Sequence, residues 1–501
     1  MIIEVSLKEN LKNKKIIKIS ENITNNELTK ILSNKFNTKI ISIGTVNGFE
    51  FDITKIIQTD NIIKLVCSQN LIEFNKLLEL IQPNNEVFIK IYALNSYIPF
   101  EAISQLNELK NLNGIKYLIG MPDLHQGRFP IGSVVITDQE CIYPELVGPD
   151  IGCGMSLIKT KIIITKYTSK QLEKIASQIN IGNFIFDTSY TQQTHWDKFY
   201  SNNISIGNKI NSHPVNSNWF SNYIKNMNIS DTDTDINKII NFIEYLSNKY
   251  IGSMGTIGLG NHFVELLTLD KIKSLELVSK YSIDSNYYYI LVHSGSRGLG
   301  EEILQMFQSN KINLCEYKIL HDFAIDWAIH NRYAIATQFS YYVGTELEYL
   351  VDLTHNWVET KEIDNIKYSI HRKGAAPAYN LPIVIPGSRG TRTWFVEPNQ
   401  NIQSIETGFS VSHGAGRKIS RNKAQEGMKN KSIKDRNICC QGDSDISNIV
   451  ICEDTNLFYE EAPFAYKDIQ TVIDDLEHFK LATPICCFIP SITFKCKNKS
   501  N

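Results

Sequence analysis

Alternating apolar and polar positions mark the beginning of the chain. The runs "IIEVSL" (2–7) and "KKIIKIS" (14–20) flank the turn "KENLKN" and repeat with the period of two that is typical of β-strands. A helix-period run follows from Thr24 to Phe36, with Glu27 at the capping-box position. The short apolar runs "IISIGTV", "FEFDI" and "IIKLVC" come next, and each predicts a further strand.

This order of strand, strand, helix and three strands resembles the ubiquitin-like β-grasp fold. We therefore predict a small β-grasp module over residues 1–67 and a helical linker over residues 68–88, where "LIEFNKLLELIQ" (71–82) has helical periodicity. The module carries no catalytic constellation, so we interpret it as an adaptor or a stability element.

Beyond the linker, glycine-marked loops alternate with strand-like and helix-like runs. The segments "GMPDLHQGRFPIGSVVIT" (120–137) and "IYPELVGPDIGCGMSL" (142–157) are dense in turn residues and are followed by apolar runs. This texture predicts an α/β (α+β) catalytic domain over residues 89–501, with functional residues in loops at strand ends. A polar, Asn-rich helical stretch over 168–250 is predicted to be a peripheral insertion.

Composition limits the functional classes. A chain of 501 residues is too long for one ordinary hydrophobic core. Its net charge of −2 argues against nucleic-acid binding over the whole surface but allows a local basic channel. No leader-like segment and no apolar run of about 18 residues is present, so we expect a soluble, intracellular, cytoplasmic protein without membrane contact. The ten cysteines lack disulfide spacing, and we expect most to be buried thiols.

Five candidate metal ligands lie in glycine-marked loops. Asp150 and Cys153 are three residues apart in "DIGCG", close enough to face one ion, and His262, His293 and His355 stand beside small or polar residues. Each histidine alone would more often be a structural residue. Together with a carboxylate and a thiolate they form a mixed ligand set. Since a thiolate can bridge, the set could hold two ions about 3.5–4 Å apart, as in phosphoryl chemistry.

The stretch "FSVSHGAGRKISRNKA" (409–424) predicts a phosphate-handling site. His413 stands in a glycine-rich turn, and Arg417, Arg421 and Lys423 follow it. Backbone amides in such a turn and nearby cations suit a phosphate group, and the histidine could act as a nucleophile or a ligand. A turn histidine beside a solvated basic helix face would be the simpler interpretation if this segment stood alone.

The same loops carry an ordered set of motifs over about residues 90–495. They are "MPDLHQG", "VGPDIGCGM", "GNHFVE", "HSGSRG", "THN", "HRKGA", "PGSRGT", "SHGAGR", "EEAPFAYKDI" and "TFK". This set resembles the RtcB family of GTP-dependent and manganese-dependent RNA ligases. The resemblance implies the family's own α/β catalytic fold, and joining of an RNA 3′-phosphate or 2′,3′-cyclic phosphate end to a 5′-hydroxyl end.

The resemblance also assigns roles to residues at matching motif positions. One Mn²⁺ would be held by Asp150, Cys153 and His262, the other by Cys153, His293 and His355, and His413 would be guanylylated. The nucleotide-binding positions implied are Asn261, Glu265, Asn356, Ser388, Thr393, Gly414, Ala415, Gly416, Tyr466 and Lys495. The RNA or phosphate contacts implied are Arg297, Arg372, Arg417 and Arg421.

The residue types at the base-binding positions suit guanine. A carboxylate at Glu265 can accept from the N1 and N2 donors, Lys495 can donate to O6, and the ring of Tyr466 can stack. The sequence departs from the family pattern at a shortened "HQGRFPIG" loop, at Ser412 in place of a common cysteine, and at Arg389 in place of a common methionine. These departures and the closing "TFK" resemble a divergent bacterial-type branch.

Two other functional classes remain compatible with these residues. A metal-dependent RNA phosphohydrolase or end-processing enzyme would keep the metals and use water as its final nucleophile. An inactive RNA-binding scaffold would use the N-terminal module for contact with a protein. For the ligase, the implied partners are GTP and broken or spliced RNA ends, with tRNA and rRNA as candidates, and an activating protein is a further candidate.

Overall fold

The structure is a computed structural model, which describes residues 2–7, 10–18, 30–32, 42–45, 63–68, 87–181, 236–429, 431 and 442–497. In chain order the strands are β1 (Ile2–Leu7), β2 (Asn10–Lys18), β3 (Ser42–Thr45), β4 (Ile63–Ser68), β5 (Phe88–Ile91), β6 (Ile115–His125), β7 (Ile131–Asp138), β8 (Gly154–Ile163), β9 (Phe263–Ile272), β10 (Tyr287–Ser294), β11 (Leu347–Thr354), β12 (Asn356–Ile363), β13 (Ile366–Lys373), β14 (Ala375–Pro377), β15 (Ile383–Pro386), β16 (Thr393–Pro398), β17 (Ser410–Ser412), β18 (Ile449–Cys452) and β19 (Ala482–Cys496). The α-helices are α1 (Phe100–Glu108), α2 (Pro144–Val147), α3 (Ser169–Gln178), α4 (Ile236–Tyr250), α5 (Leu275–Lys280), α6 (Gly298–Gln308), α7 (Leu314–Val343), α8 (Arg421–Lys429), α9 (Thr455–Glu460) and α10 (Ile469–His478).

Two sheets form the centre of the large domain. The larger has the order β11-β8-β10-β9-β19-β16-β15, with β18 added in parallel to β19, and the other has the order β12-β13-β7-β6-β5. A shared apolar core joins them, because Leu157 and Leu291 of the larger sheet pack with Ile119 and Val134 of the smaller one. The predicted α/β class is therefore confirmed, as two packed sheets with helices outside them.

Side chains of the larger sheet alternate between two cores. Leu157 and Leu291 face the smaller sheet, whereas their chain neighbours Ile158 and Ile290 pack on the opposite face with Phe339 of α7. The smaller sheet is likewise covered on its outer face by α1. Because both faces of the central strands are covered, a strand such as β10 is a nearly continuous apolar run.

The long helix α7 supports the larger sheet from outside. A capping box between Asn313 and Glu316 begins the helix, and Gly344 ends it in the left-handed conformation with φ 64°. Its buried face packs on α4 and α6 through a further apolar cluster that includes Ile243, Ile303 and Trp327. The predicted peripheral insertion over 168–250 begins with α3 and ends with α4, and its residues 182–235 lie outside the described part of the chain.

At the N-terminus, β1 to β4 form a separate sheet of order β2-β1-β4-β3. The strand β1 is antiparallel to β2 and parallel to β4. Residues 30–32 are helical, within the helix predicted for 24–36. The predicted strand "FEFDI" and the predicted linker helix 71–82 lie outside the described residues. The β-grasp assignment and the domain boundaries at 67 and 88 therefore stay predictions.

The cysteines are less buried than we expected. Of the seven within the described residues, Cys153, Cys486 and Cys487 are buried, whereas Cys315 is exposed, and Cys141, Cys452 and Cys496 are partly exposed. The expectation of mostly buried thiols is therefore wrong for this set, because several cysteines lie on strand ends and helix surfaces rather than in the cores. None of the helices in the described ranges combines the length and apolar composition needed to cross a bilayer.

Candidate active site

A deep cleft of about 1140 Å³ opens at one end of the two sheets. Strand geometry explains why distant segments meet there. The strand β8 runs antiparallel to β10 and β11, and β10 runs antiparallel to β9. The starts of β8 and β9 therefore lie at the same edge as the ends of β10 and β11. Loops after β6, β15 and β17 complete the lining.

Four of the five predicted metal ligands converge at this edge. The thiol of Cys153, just before β8, lies 3.2 Å from His262 Nε2 and 3.3 Å from His293 Nε2. The Nε2 atoms of His293 and His355 are 3.3 Å apart. All four residues are buried. The donor atoms of Cys153, His262 and His293 lie within 4.8 Å of one another, a cluster that could hold a metal ion.

The fifth predicted ligand joins the cluster through a histidine. Asp150 Oδ2 lies 2.9 Å from His262 Nε2. On the other side of that ring, Nδ1 donates to the backbone oxygen of Ile257 at 3.1 Å. A backbone acceptor at Nδ1 leaves Nε2 as the lone-pair donor, which is the arrangement commonly found behind metal-bound histidines.

A buried arginine holds the loops that carry these ligands. Arg332 of α7 makes a bidentate ion pair with Asp352 of β11, at 2.8 and 2.6 Å. Its Nη1 also donates to the backbone oxygens of Gly152 and Ser294, at 2.8 and 3.1 Å. These oxygens lie next to Cys153 and His293, respectively. Such a fork fixes three segments relative to one another.

The electrostatics of the cluster suit a cation. Burial lowers the pKa of His293 and His355 well below the ordinary value, so both rings are neutral and can donate lone pairs. Burial and the nearby charge of Asp150 raise the pKa of the Cys153 thiol, so a thiolate here requires positive charge beside it. A divalent ion would supply that charge, and the donor set therefore fits a metal.

His413 lies beside this cluster and is oriented by a carboxylate. Its ring centroid is 4.6 Å from that of His355. Its Nδ1 is 2.7 Å from Asp123 Oδ2, and its backbone N–H donates to the same oxygen at 3.1 Å. Because an ionised carboxylate can only accept, Nδ1 carries the proton and Nε2 keeps its lone pair. Burial opposes ionisation of Asp123, but the hydrogen bond from His413 holds its pKa below the usual value.

The glycines around His413 are required by close packing. A Cβ on Gly416 would lie 2.2 Å from the backbone oxygen of Asp123, and φ of 69° there also disfavours other residues. A Cβ on Gly374 would lie 2.8 Å from His413 Cε1. The predicted residues Gly414, Ala415 and Gly416 all line the cleft. The turn thus brings backbone amides and the histidine to the same wall.

The predicted nucleotide end of the cleft, which contains Glu265, is an ordered polar network. Glu265 on β9 is buried and accepts from Thr493 Oγ1 at 2.6 Å, a residue directly opposite it on β19. Asn448 Nδ2 donates to the same hydroxyl oxygen at 2.9 Å. Burial raises the pKa of Glu265 to about 7, against lowering effects of Thr493 and Lys495.

A second buried carboxylate, Glu461, contacts three residues with predicted roles in nucleotide or RNA binding, namely Arg417, Arg421 and Tyr466. It accepts from Arg417 Nη1 at 3.0 Å and from the hydroxyl of Tyr466, and Arg421 Nε lies 3.5 Å away. The guanidinium of Arg417 lies 5.0 Å from the ring centre of Tyr466. Burial opposes the charge of Glu461, but Lys495 and the two arginines keep its pKa below the usual value.

The other predicted nucleotide-binding residues line the same cleft. These are Asn261, Asn356, Ser388 and Thr393. The side chain of Asn356 is occupied by structural bonds, since Nδ2 donates to the oxygen of Asp150 at 3.1 Å and Oδ1 accepts from Gly374 N at 2.8 Å. Its position ties the metal loop to the His413 wall, so its contribution to nucleotide binding would be indirect.

Three of the four predicted RNA-contacting arginines line the cleft, and one does not. Arg297, Arg417 and Arg421 face it. Arg372 is fully buried, with its guanidinium bonded to Glu359 at 2.7 Å and to Ser410 Oγ at 2.8 Å. A guanidinium enclosed in this way holds β12 and β13 to β17 and does not face the cleft. The predicted contact of Arg372 with RNA is therefore not supported by its position.

Several site residues escaped the sequence interpretation. Asp123, Arg332, Glu461 and Thr493 were not singled out, although Asp123 and Glu461 stand inside the quoted motifs "MPDLHQG" and "EEAPFAYKDI". A carboxylate beside apolar residues inside a motif is a usable signal. Thr493 stands two residues from Lys495 on the same strand, so the period of two would place both on one face. Arg332 has no such local signal.

Comparison with known proteins agrees with this geometry. The family model described as tRNA-splicing ligase RtcB matches residues 105–322 and 304–496. "RNA-splicing ligase RtcB2" of Escherichia coli is 31% identical over 425 residues, covering 83% of this chain and 97% of the relative. "tRNA-splicing ligase RtcB" of Nanoarchaeum equitans is 27% identical over 451 residues, covering 76% of this chain and 88% of the relative.

A eukaryotic relative gives the same result. "RNA-splicing ligase RtcB homolog 1" of Entamoeba dispar is 26% identical over 458 residues, covering 78% of this chain and 81% of the relative. The chain therefore belongs to the RtcB family, whose named members are RNA-splicing or tRNA-splicing ligases. The family resemblance expected from the motifs is confirmed.

Proposed function

We propose that this protein is an RNA ligase that joins an RNA 3′-phosphate or 2′,3′-cyclic phosphate end to a 5′-hydroxyl end, with GTP and two Mn²⁺ ions. The observation that carries the proposal is the position of His413. Its ring is held by Asp123 with the lone pair on Nε2, and it lies against the cluster of Cys153 and the histidines. A nucleophile beside a metal cluster in a cleft with a polar base-binding end is what nucleotidyl transfer requires.

The covalent chemistry falls on His413. Its Nε2 attacks the α-phosphorus of GTP, a P–N bond forms, and pyrophosphate leaves with the electrons of the broken P–O bond. Asp123 keeps Nδ1 protonated and stabilises the positive charge that develops on the ring. The GMP group then passes to the RNA 3′-phosphate, and the 5′-hydroxyl displaces GMP to form the phosphodiester. A 2′,3′-cyclic end is first opened by water.

Cys153, His262, His293, His355 and Asp150 would hold the metal ions. When bound, the ions would neutralise phosphate oxygens and help align the reacting groups. Arg332 contributes by fixing Gly152 and Ser294, the chain neighbours of Cys153 and His293. Tight positioning matters here, since small displacements of reacting groups lower rates strongly.

At the other end, Glu265 and Lys495 supply a base-binding pair. Glu265 can accept from the N1–H and N2–H donors of guanine, and Lys495 can donate to O6, whereas adenine presents the opposite pattern. Burial lowers the pKa of Lys495, although Glu461 and other anionic groups oppose the shift. Both residues line the cleft and are buried, which makes a mismatched base costly.

The cations at the mouth of the cleft suit an RNA backbone. Lys418, Lys423 and Arg421 line its outer part, and the side chain of Arg421 is half exposed. Arg297 also lines the cleft, and Gly258 leaves room for its guanidinium because it has no side chain. A local basic surface of this kind agrees with a net charge of only −2.

Intact-mass measurement after incubation with GTP and Mn²⁺ tests the proposal. We expect a covalent GMP adduct on the wild-type protein and none on His413→Ala. The matched control is His478→Ala, because His478 is exposed at the end of α10 and does not line the cleft. It should keep the adduct.

A ligation assay with RNA ends completes the test. The wild-type protein should join a 3′-phosphate end to a 5′-hydroxyl end and should need GTP. Release of inorganic phosphate from the RNA end, with no adduct and no joined product, would instead identify an end-processing phosphohydrolase. Neither reaction, with RNA still bound, would identify a scaffold.

A further inference from the structure

Two cysteines outside the metal cluster face each other across neighbouring strands. Cys452 at the end of β18 is the strand partner of Cys496 at the end of β19, and their sulfur atoms are 3.8 Å apart. Both residues are partly exposed. Adjacent paired strands lie about 4.8 Å apart, which is within the Cα separation that a disulfide can span. Only a small movement of the side chains is needed for the sulfur atoms to bond.

The pair adjoins a predicted nucleotide-binding residue. The register of β18 against β19 shifts at this point, since Ile451 pairs with Phe494 but Cys452 pairs with Cys496. Lys495 is therefore the extra residue in a bulge, and its side chain lines the cleft. Bulges re-aim side chains in this way beside functional sites. A disulfide between Cys452 and Cys496 would therefore act on the backbone that orients the side chain of Lys495.

We propose that Cys452 and Cys496 form a redox modification site, at which a hydroperoxide produces a disulfide that ties β18 to β19 and weakens nucleotide binding by displacing Lys495. The effect on nucleotide binding rests on the function proposed above. Formation of the disulfide does not, because it depends only on the two thiols and their geometry.

The oxidation balances in two steps. The thiolate of Cys496 attacks the hydroperoxide, the O–O bond breaks, and Cys496 becomes a sulfenic acid while the hydroperoxide is reduced to an alcohol or water. Cys452 then attacks the sulfenic sulfur, the S–S bond forms and water leaves. The two thiols can exchange these roles without changing the disulfide that forms.

Peptide mapping of the full-length protein tests the disulfide. After mild treatment with hydrogen peroxide and blocking of free thiols, cleavage before aspartate and after lysine should link residues 445–453 to residues 496–497. Each of these peptides contains a single cysteine. Cys452→Ser and Cys496→Ser should lose the linked peptide, and Cys315→Ser, which removes an exposed thiol elsewhere, should keep it. Absence of the linked peptide from the wild-type protein would overturn the proposal.

A second arm measures GTP affinity before oxidation, after oxidation and after reduction with dithiothreitol. We expect oxidation to weaken binding by about tenfold or more in the wild-type protein, with recovery on reduction and no such loss in Cys452→Ser. A loss that is equal in both proteins would arise from other thiols, such as Cys153, and would refute the link to nucleotide binding. An unchanged affinity despite full cross-linking would also refute it. If the reduced protein binds no GTP at all, the proposed nucleotide site fails, while the peptide map still decides the disulfide.

Discussion

The two ends of the cleft are built by different means. At the predicted metal end, the donor atoms of Cys153, His262 and His293 lie within 4.8 Å of one another and could hold a metal ion. At the nucleotide end, the carboxylates are already satisfied by the protein, Glu265 by Thr493 and Glu461 by Arg417. The metal end is a set of converging donors, whereas the nucleotide end is a network of hydrogen bonds between protein groups.

This difference predicts different responses to mutation. Removal of one donor from a convergent set, or of the group that aims the nucleophile, removes a function that no neighbour can replace. Removal of one member of a hydrogen-bonded network leaves the others in place and has a graded effect. The following changes test that contrast, from the largest expected effect to the smallest.

Asp123→Ala should give the largest loss. It removes the acceptor for both Nδ1 and the backbone N–H of His413, so we expect GMP transfer to slow by about a thousandfold or more. Asp123→Asn keeps an acceptor at this position but removes the charge, so it should also slow the reaction. Asp474→Ala is the matched control, because it removes an exposed carboxylate of α10 that does not line the cleft. The measurement is the single-turnover rate of adduct formation. A rate for Asp123→Ala within tenfold of the wild type would show that His413 does not depend on this carboxylate.

Cys153→Ser should lose most of the metal affinity. A neutral hydroxyl replaces the thiolate shared by the cluster, so we expect Mn²⁺ binding to weaken by about a hundredfold or more. Calorimetric titration with Mn²⁺ measures this without any reaction. Cys141→Ser serves as the control, since that thiol is partly exposed and does not line the cleft. Two tightly bound ions in the Cys153→Ser protein would contradict the bridging role.

The nucleotide end should discriminate between bases. With adenine, the donors and acceptors of Glu265 and Lys495 would be left unpaired in a buried site, which typically costs a few kcal/mol. We expect GTP to be preferred over ATP by at least about a hundredfold in kcat/KM for adduct formation. Comparable values for the two nucleotides would show that this pair does not read the base.

The Glu265 carboxylate should make stability depend on pH. Its folded-state pKa of about 7 lies above the ordinary value of 4.5, so the folded protein holds this proton more tightly than the unfolded chain does. The contribution of this carboxylate to stability is therefore highest at low pH and is lost as pH rises through 7. Glu265→Gln cannot ionise and can still accept from Thr493. In nucleotide-free protein, the variant should gain about 2 kcal/mol relative to the wild type between pH 5 and pH 8. Denaturant unfolding at both values measures the difference, and a pH-independent difference would rule out this shift.

The N-terminal region should contribute least to the chemistry. Residues 1–67 contain no histidine and only one cysteine, Cys67, so they offer the metal end little. A protein that begins at residue 86 should therefore form the GMP adduct at a rate within about threefold of the full chain. If the truncated protein shows a folded circular dichroism spectrum and yet forms no adduct, the N-terminal region belongs to the catalytic unit, and the predicted division of the chain is wrong.

The sequence by itself determined the elements and the chemical inventory. Alternation of apolar and polar residues predicted the first strands of the chain, and short apolar runs between glycine-marked loops indicated strands in the rest. The motif loops predicted the ligand types, since glycine-rich turns at strand ends leave room for ions and phosphates. Both signals are local, so they could be read without knowledge of how the segments pack.

Only the tertiary structure decided which of these residues meet. Antiparallel pairing of β8 with β10 and β11 brings Cys153 to His293 and His355, and packing of β6 against β17 brings Asp123 to His413 across 290 positions of chain. The arginines show the same limit. Arg372 and Arg417 both occur in basic, glycine-containing motifs, yet only Arg417 lines the cleft, because Arg372 points into the core beneath β17. Burial and partnership depend on contacts between distant segments, which no local pattern encodes.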